Sequence, residues 1–213
     1  MWYEYKEVKQ KLPPEARDAW TIKEVVENTA RLGDKVYLID AVTGKHYSYG
    51  ESNTEANKIA NSLISLGMSK GDKVAIYMRN RPEYVFTIFA CGKAGLIEVP
   101  INTNFHEPEI THMINTAEIA TIIVESDKGF LGELAKVSEK TPILKSVLVL
   151  GDISQAPAMG AKVISLDEML AKAAVSNPKV EVKESDPCCA FFTSGTTGLP
   201  KGAPISNKCF VLA

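Results

Sequence analysis

The sequence lacks the features of several large protein classes. Its 213 residues carry a formal net charge of −2 with interspersed charges, so no basic face indicates nucleic-acid binding. Its most apolar window, residues 84–101, is interrupted by Lys93 and Glu98, and the polar N-terminus has no signal-peptide core. We therefore expect no nucleic-acid partner and no transmembrane segment, and the sequence stays compatible with peripheral contact with a membrane.

Cysteine and histidine are scarce and are not spaced for metal binding. The four cysteines contain no Cys-x-x-Cys pair, and Cys188-Cys189 lies in an apolar run. This setting favours small buried side chains, and reduced thiols indicate a cytoplasmic location. His106 and His112 have Pro108 between them and do not share a helix face as metal ligands would. We therefore predict no metal site and interpret both as surface histidines.

What the sequence does have is a regular alternation of strand-like and helix-like segments. Residues 74–78 are apolar on both faces, which is typical of a strand covered on both sides. Further strands are predicted at residues 36–39, 46–48, 96–99, 120–124, 146–150, 163–164 and 188–192, and helices at 21–31, 82–94, 108–116, 130–139 and after Ser206 or Asn207. The alternation predicts an α/β fold with a mainly parallel sheet flanked by helices on both faces.

Two more helices are predicted to begin at capping boxes, because residues 48–51 and 165–168 both have the Ser-x-x-Glu spacing. Apolar residues recur at helical spacing along the first of them, at positions 56, 59, 60, 63 and 64. Gly67 is expected to end this helix. The second is predicted to end near Ala174, before a surface linker over residues 176–187.

A segment rich in glycine and hydroxyl groups follows the strand predicted at residues 188–192. It reads TSGTTGLPKG over residues 193–202. Glycines let a backbone approach an anion closely, exposed N–H groups form an anion-binding concavity, and hydroxyls and Lys201 add hydrogen-bond donors and positive charge. Because Pro200 precedes this lysine and Gly202 follows it, the segment is not a Walker loop. The composition predicts a loop that binds phosphate groups.

The string TSGTTGLPKG resembles the phosphate-binding motif of the adenylate-forming superfamily. This superfamily includes acyl-CoA synthetases, luciferases and the adenylation domains of peptide synthetases. Upstream segments resemble it as well, with Ser52 standing where leucine is usual; these segments are residues 47–51, 67–76, 80–83 and 93–102. The resemblance extends over about residues 20–210.

The resemblance implies an activity and a set of site residues. In the family, this loop holds the pyrophosphate end of ATP, a carboxylate attacks the α-phosphate to give acyl-AMP, and the thiol of coenzyme A then displaces AMP. Residue by residue, it implies that the phosphate contacts are Thr193, Ser194, Gly195, Thr196, Thr197, Gly198 and Lys201. ATP, Mg²⁺ and coenzyme A are the implied co-substrates and ion. A short match at residues 102–104 favours a fatty acid as the substrate.

The resemblance also implies a domain organisation. Residues 1–20 are interpreted as an N-terminal extension and residues 21–213 as an incomplete N-terminal AMP-binding domain. The family's later motifs for adenine, ribose and adenylation are not in these residues, so we expect no catalytic residue here and little activity from the chain alone. A non-catalytic nucleotide- or partner-binding fragment and an amino-acid adenylating relative are the alternatives. The sequence is compatible with a homodimer.

Overall fold

The computed structural model describes residues 13–193 and 200–213, and the structural statements below concern these residues. The helices are α1 (Ile22–Thr29), α2 (Tyr49–Ser65), α3 (Pro82–Ala94), α4 (Glu107–Ala117), α5 (Lys128–Lys140), α6 (Leu166–Leu170) and α7 (Asn207–Leu212). The strands are β1 (Val36–Ile39), β2 (His46–Ser48), β3 (Lys73–Tyr77), β4 (Ile97–Pro100), β5 (Thr121–Glu125), β6 (Ser146–Leu150), β7 (Lys162–Ser165), β8 (Pro187–Thr193) and β9 (Lys201–Ser206). Short 3₁₀ turns occupy Pro14–Ala16, Ala30–Leu32 and Ile153–Gln155.

Strands β3 to β9 form one sheet in the order β7-β6-β5-β3-β4-β8-β9. The neighbours from β7 to β8 pair in parallel, and β9 pairs antiparallel with β8. Strands β1 and β2 form a separate antiparallel hairpin. The predicted α/β fold with a mainly parallel sheet is therefore confirmed.

Both faces of the sheet are covered, as the apolar strand sequences predict. In β5, Ile122 and Val124 pack into the cluster that contains α4 and α5, whereas Ile123 packs into the cluster that contains α2 and α3. All three side chains are fully buried. Because adjacent residues of a strand point to opposite faces, the middle of a strand that lies between two helical layers is apolar on both faces.

Capping side chains set the beginnings of the helices. The predicted box at Ser48 and Glu51 is confirmed, with reciprocal bonds of 3.1 and 2.8 Å. Thr21 and Glu24 form a second complete box that was not predicted. Ile64 was expected on the buried face of α2 but is 36% exposed. None of the helices in the described ranges is long and apolar enough to cross a bilayer.

Helix α6 is shorter than predicted, because it ends at Leu170 rather than near Ala174. Side chains of α2 account for the difference. Asn61 Nδ2 donates to the carbonyl oxygens of Ala174 and Ser176, at 2.8 and 2.9 Å, and Asn57 Nδ2 donates to the carbonyl between them at 2.7 Å. These bonds hold residues 174–176 against α2. Because these residues lie along α2, they cannot continue helix α6, which ends at Leu170.

Strand β9 corrects the prediction that a loop leads directly into the last helix. Lys201 and Gly202 lie in this strand rather than in a loop, and Ser206 caps α7 after it. Pro204 is compatible with β9 because the strand lies at the edge of the sheet, where a missing N–H breaks no ladder. The hairpin formed by β8 and β9 therefore brackets residues 194–200.

Candidate functional site

The two ends of the glycine-rich segment face each other across the β8–β9 hairpin. Thr193 is the last residue of β8, and it pairs with Lys201, the first residue of β9. Directly paired residues of an antiparallel ladder present their side chains on one face, so a hydroxyl and an ammonium group flank the loop. Both residues are exposed. The other predicted phosphate contacts lie outside the described residues; they are Ser194, Gly195, Thr196, Thr197 and Gly198.

A crevice lies beside the base of this loop, at the carboxyl ends of the central strands. From β3, the chain continues to β4 on one side and later to β5 on the other, so the strand order reverses at this point. Ligands of open α/β sheets bind at such switch points. The cavity has a volume of about 610 Å³ and is lined by Met78, Arg79, Asn80, Tyr84, Pro100, Ile101, Asn102, Thr103, Phe105, Phe191 and Phe192.

The rim of the crevice carries a cation that is already paired. Arg79 contacts Glu125 Oε1 at 3.1 Å and Asp127 Oδ2 at 2.6 Å. The hydrogen bond to Asp127 is the main cause that raises the pKa of Arg79, and the same bond lowers the pKa of Asp127. Lys201, in contrast, makes no ion pair with any other described residue. Lys201 is therefore better suited than Arg79 to compensate the charge of an incoming anion.

A buried carboxyl group lies behind the crevice. Glu98 of β4 is 2% exposed, and burial raises its pKa to about 7, against the effect of a hydrogen bond from Tyr84. Burial and the nearby Glu98 raise the pKa of Tyr84 to about 12. In the sequence, Glu98 stands out only as a charge in an apolar window, and such a charge is the signal for a buried polar contact.

Lys93, the other charge in that window, is also buried but lies away from the crevice. Its Nζ contacts Oε1 of Glu27 at 3.0 Å and the side-chain oxygens of Asn53 and Asn177 at 2.8 and 3.1 Å. Burial lowers the pKa of Lys93 to about 8, while the bond to Glu27 opposes that shift. Lys93 thus joins α1, α2 and α3 to the segment before β8.

The two histidines examined as metal ligands have different surroundings. His106 is exposed, as predicted, but His112 is half-buried, and its Nε2 lies 2.8 Å from the carbonyl oxygen of Pro200. The interpretation of His112 as an ordinary surface residue is therefore wrong. Within residues 13–193 and 200–213, no group of three or more His, Cys, Asp or Glu side chains is placed to hold a metal ion.

The sequence of this chain is similar to those of known proteins. Residues 25–212 match a family model described as AMP-binding enzyme. The chain is 30% identical over 212 residues to long chain acyl-CoA synthetase 3 of Arabidopsis thaliana, covering 93% of this chain and 31% of the relative. It is 32% identical over 197 residues to acetyl-coenzyme A synthetase of Methylocella silvestris, covering 86% and 30%.

A solved structure shares the fold. The anthranilate CoA ligase AuaEII, in complex with anthranoyl-AMP, superimposes with a TM-score of 0.79 over 94% of this chain and 36% of that one. At 24% identity, this likeness concerns the fold alone. The chain spans about a third of the length of the curated relatives it matches, at 31% and 30% of their residues.

Proposed function

Because the chain belongs to the AMP-binding enzyme family, we propose that it supplies the phosphate-binding part of an enzyme that activates a carboxylic acid with ATP. In this reaction, a carboxylate oxygen attacks the α-phosphorus, the bond to pyrophosphate breaks, and acyl-AMP forms. The thiol of coenzyme A then attacks the acyl carbon, AMP leaves, and a thioester forms. The relatives' names, long chain acyl-CoA synthetase and acetyl-coenzyme A synthetase, support this reaction class.

The observation that carries the proposal is the position of Thr193 and Lys201. They form the base of the loop at the carboxyl end of β8, beside the crevice at the switch point of the sheet. Pyrophosphate gains negative charge as it leaves, and an ammonium group placed there in advance stabilises that charge. We propose that Lys201 has this role and that Thr193, Ser194, Gly195, Thr196, Thr197 and Gly198 supply further donors.

Magnesium enters the proposal together with the nucleotide. Mg²⁺ keeps several waters and is usually bound through substrate phosphates and one or two carboxylates. The described residues hold no acidic cluster around the loop, so we propose that the ion arrives on the ATP phosphates. ATP, coenzyme A and a small carboxylic acid are then the proposed partners.

A fatty acid is the proposed substrate. Ile101, Phe105, Phe191 and Phe192 give the crevice an apolar wall, and its volume of about 610 Å³ is within the range of small-molecule sites. Of the match at residues 102–104, Asn102 and Thr103 also line the crevice. The relatives' names include both a long-chain and an acetyl substrate, so chain length is left to experiment.

We propose that residues 21–213 alone do not complete the reaction, since the chain corresponds to about a third of its relatives. The purified chain should show no carboxylate-dependent exchange between ATP and pyrophosphate, and robust exchange would contradict this. We also propose a cytoplasmic location, which four unpaired cysteines support. The complete protein, assayed with fatty acids and amino acids, would identify the acid.

The phosphate-binding role is tested by measuring the affinity of the chain for Mg·ATP by calorimetry. In Lys201→Ala, one or more charge-assisted contacts are lost, so the dissociation constant should rise about 10- to 100-fold. Lys162→Ala is the matched control, because Lys162 is also an exposed lysine at the start of an edge strand, on the opposite edge of the sheet. Equal affinities of wild type and Lys201→Ala would mean that this loop is not a phosphate site.

A further inference from the structure

The side chain of His112 in α4 contacts the β8–β9 hairpin, which carries the glycine-rich loop. Nε2 of His112 lies 2.8 Å from the carbonyl oxygen of Pro200, the residue just before β9. Since a carbonyl oxygen only accepts, Nε2 must carry the hydrogen. Nδ1 lies 3.5 Å from Thr116 Oγ1, a hydroxyl that can donate to the neutral ring or accept from the protonated one. The contact with Pro200 is therefore compatible with both protonation states.

This bond also orients the amide that follows Pro200. In a trans peptide the C=O and the next N–H point in opposite directions, and no described peptide bond is cis. The Pro200 carbonyl points toward α4, so the N–H of Lys201 points away from it. Together with the pairing of Lys201 and Thr193, the bond from His112 thereby fixes the peptide from which the Lys201 residue extends.

A close backbone contact lies beside this bond. A Cβ atom placed on Gly202 would lie 3.0 Å from the ring of Phe192, so the glycine allows the ring to sit directly against β9. Phe192 in turn packs on the core cluster that contains α4 and α5. The end of the hairpin next to the loop is thus held by the packing of Phe192 and by the hydrogen bond from His112.

We propose that His112 is a positioning residue for phosphate binding, because it holds the Pro200 carbonyl and with it the backbone from which the Lys201 side chain extends. The proposal rests on the function proposed above. It requires the N–H that His112 donates and does not require a charge on the ring. His112 and Pro200 are 88 residues apart in sequence, so the bond couples the loop to a separate layer of the fold.

The test compares His112→Gln with His112→Asn in the 213-residue chain. Glutamine can place an N–H close to the position of Nε2, whereas asparagine is one methylene shorter and does not reach Pro200. By calorimetry, the dissociation constant for Mg·ATP should stay within about twofold for glutamine and rise about 3- to 10-fold for asparagine, the range of one neutral hydrogen bond. His106→Asn, at the N-terminus of the same helix, is the control and should bind as wild type.

Hydrogen exchange at the amide of Lys201 gives a readout that needs no ligand. This amide should exchange about 3- to 10-fold faster in His112→Asn and at the wild-type rate in His112→Gln. Wild-type exchange in both variants, or an equal acceleration in both, would overturn the role of His112. If instead the wild type does not bind ATP, or Lys201→Ala binds it equally well, the proposed function fails, and the exchange rates still decide the role of His112.

Discussion

The interior of the sheet and the β8–β9 hairpin are built on different principles. Strands β5 and β6 pair along five residues, and β5 is buried throughout. Strand β9 lies at the sheet edge and is mostly exposed; it pairs only with β8, and side-chain bonds of His112 and Asn207 hold its two ends. The interior is stabilised mainly by non-directional burial, whereas the hairpin depends more on directional hydrogen bonds, those of its ladder and those of a few side chains. Stability and the proposed phosphate binding are therefore expected to depend on different residues.

The largest expected effect is the difference between truncations in the two regions. Ile122→Ala removes a fully buried side chain between two helical layers and should lower the free energy of unfolding by about 2–5 kcal/mol. Phe191→Ala in the hairpin removes a ring that is 43% exposed and should cost about 1 kcal/mol or less. Urea unfolding measures both, and a larger loss for Phe191→Ala would contradict the division of roles.

A pH effect is expected where the two regions meet, at Glu98, which is in register with Cys189 of β8. Its pKa is about 7 in the folded chain against an ordinary value of 4.5, so between these pH values the folded chain binds more protons than the unfolded chain. The free energy of unfolding should therefore fall as pH rises from about 4.5 to 7, by at most on the order of 3 kcal/mol, and then level off.

Unfolding of Glu98→Gln at pH 5 and pH 8 checks this effect. Between these two pH values, the free energy of unfolding should fall much less for the glutamine variant than for the wild type. Glu139→Gln, at an exposed position on α5, should keep the wild-type pH dependence. If Glu98→Gln also keeps it, the titrating group is elsewhere.

A smaller effect is expected at the far end of the hairpin. Asn207 is 1% exposed; its Oδ1 accepts from the N–H of Ile22 at 3.0 Å, and its Nδ2 donates to the carbonyl of Asp186 at 3.1 Å. Asn207→Ala leaves buried partners unsatisfied and should lower the free energy of unfolding by about 1–3 kcal/mol. The control Asn115→Ala, at an exposed position on α4, should change it by about 0.5 kcal/mol or less.

Sequence patterns sufficed where local or periodic signals determine the structure. The strands Val36–Ile39 and Ser146–Leu150 have the predicted bounds, and the capping box of Ser48 marks the true beginning of α2. These features depend on the alternation of apolar residues and on contacts between residues three positions apart. The α/β fold could therefore be predicted.

Features that depend on distant partners could not be predicted. Strand β9 has the composition of a turn, with glycine and proline, and becomes a strand because β8 pairs with it from the other side of the loop. The early end of α6 depends on the amides of Asn57 and Asn61, more than 100 residues away. At the candidate site, the loop composition indicated phosphate binding, but the contact of His112 with Pro200 leaves no local pattern.

The buried ammonium of Lys93 has a consequence for the order in which this protein can come apart. Its hydrogen-bond acceptors belong to α1, α2 and the segment before β8, and the Lys93 side chain is 0% exposed. If any one of these elements moved away, the buried ammonium of Lys93 would lose a hydrogen-bond acceptor. An uncompensated buried charge costs free energy. Partial opening is thereby disfavoured, and the first three helices together with Asn177 should unfold as one cooperative unit.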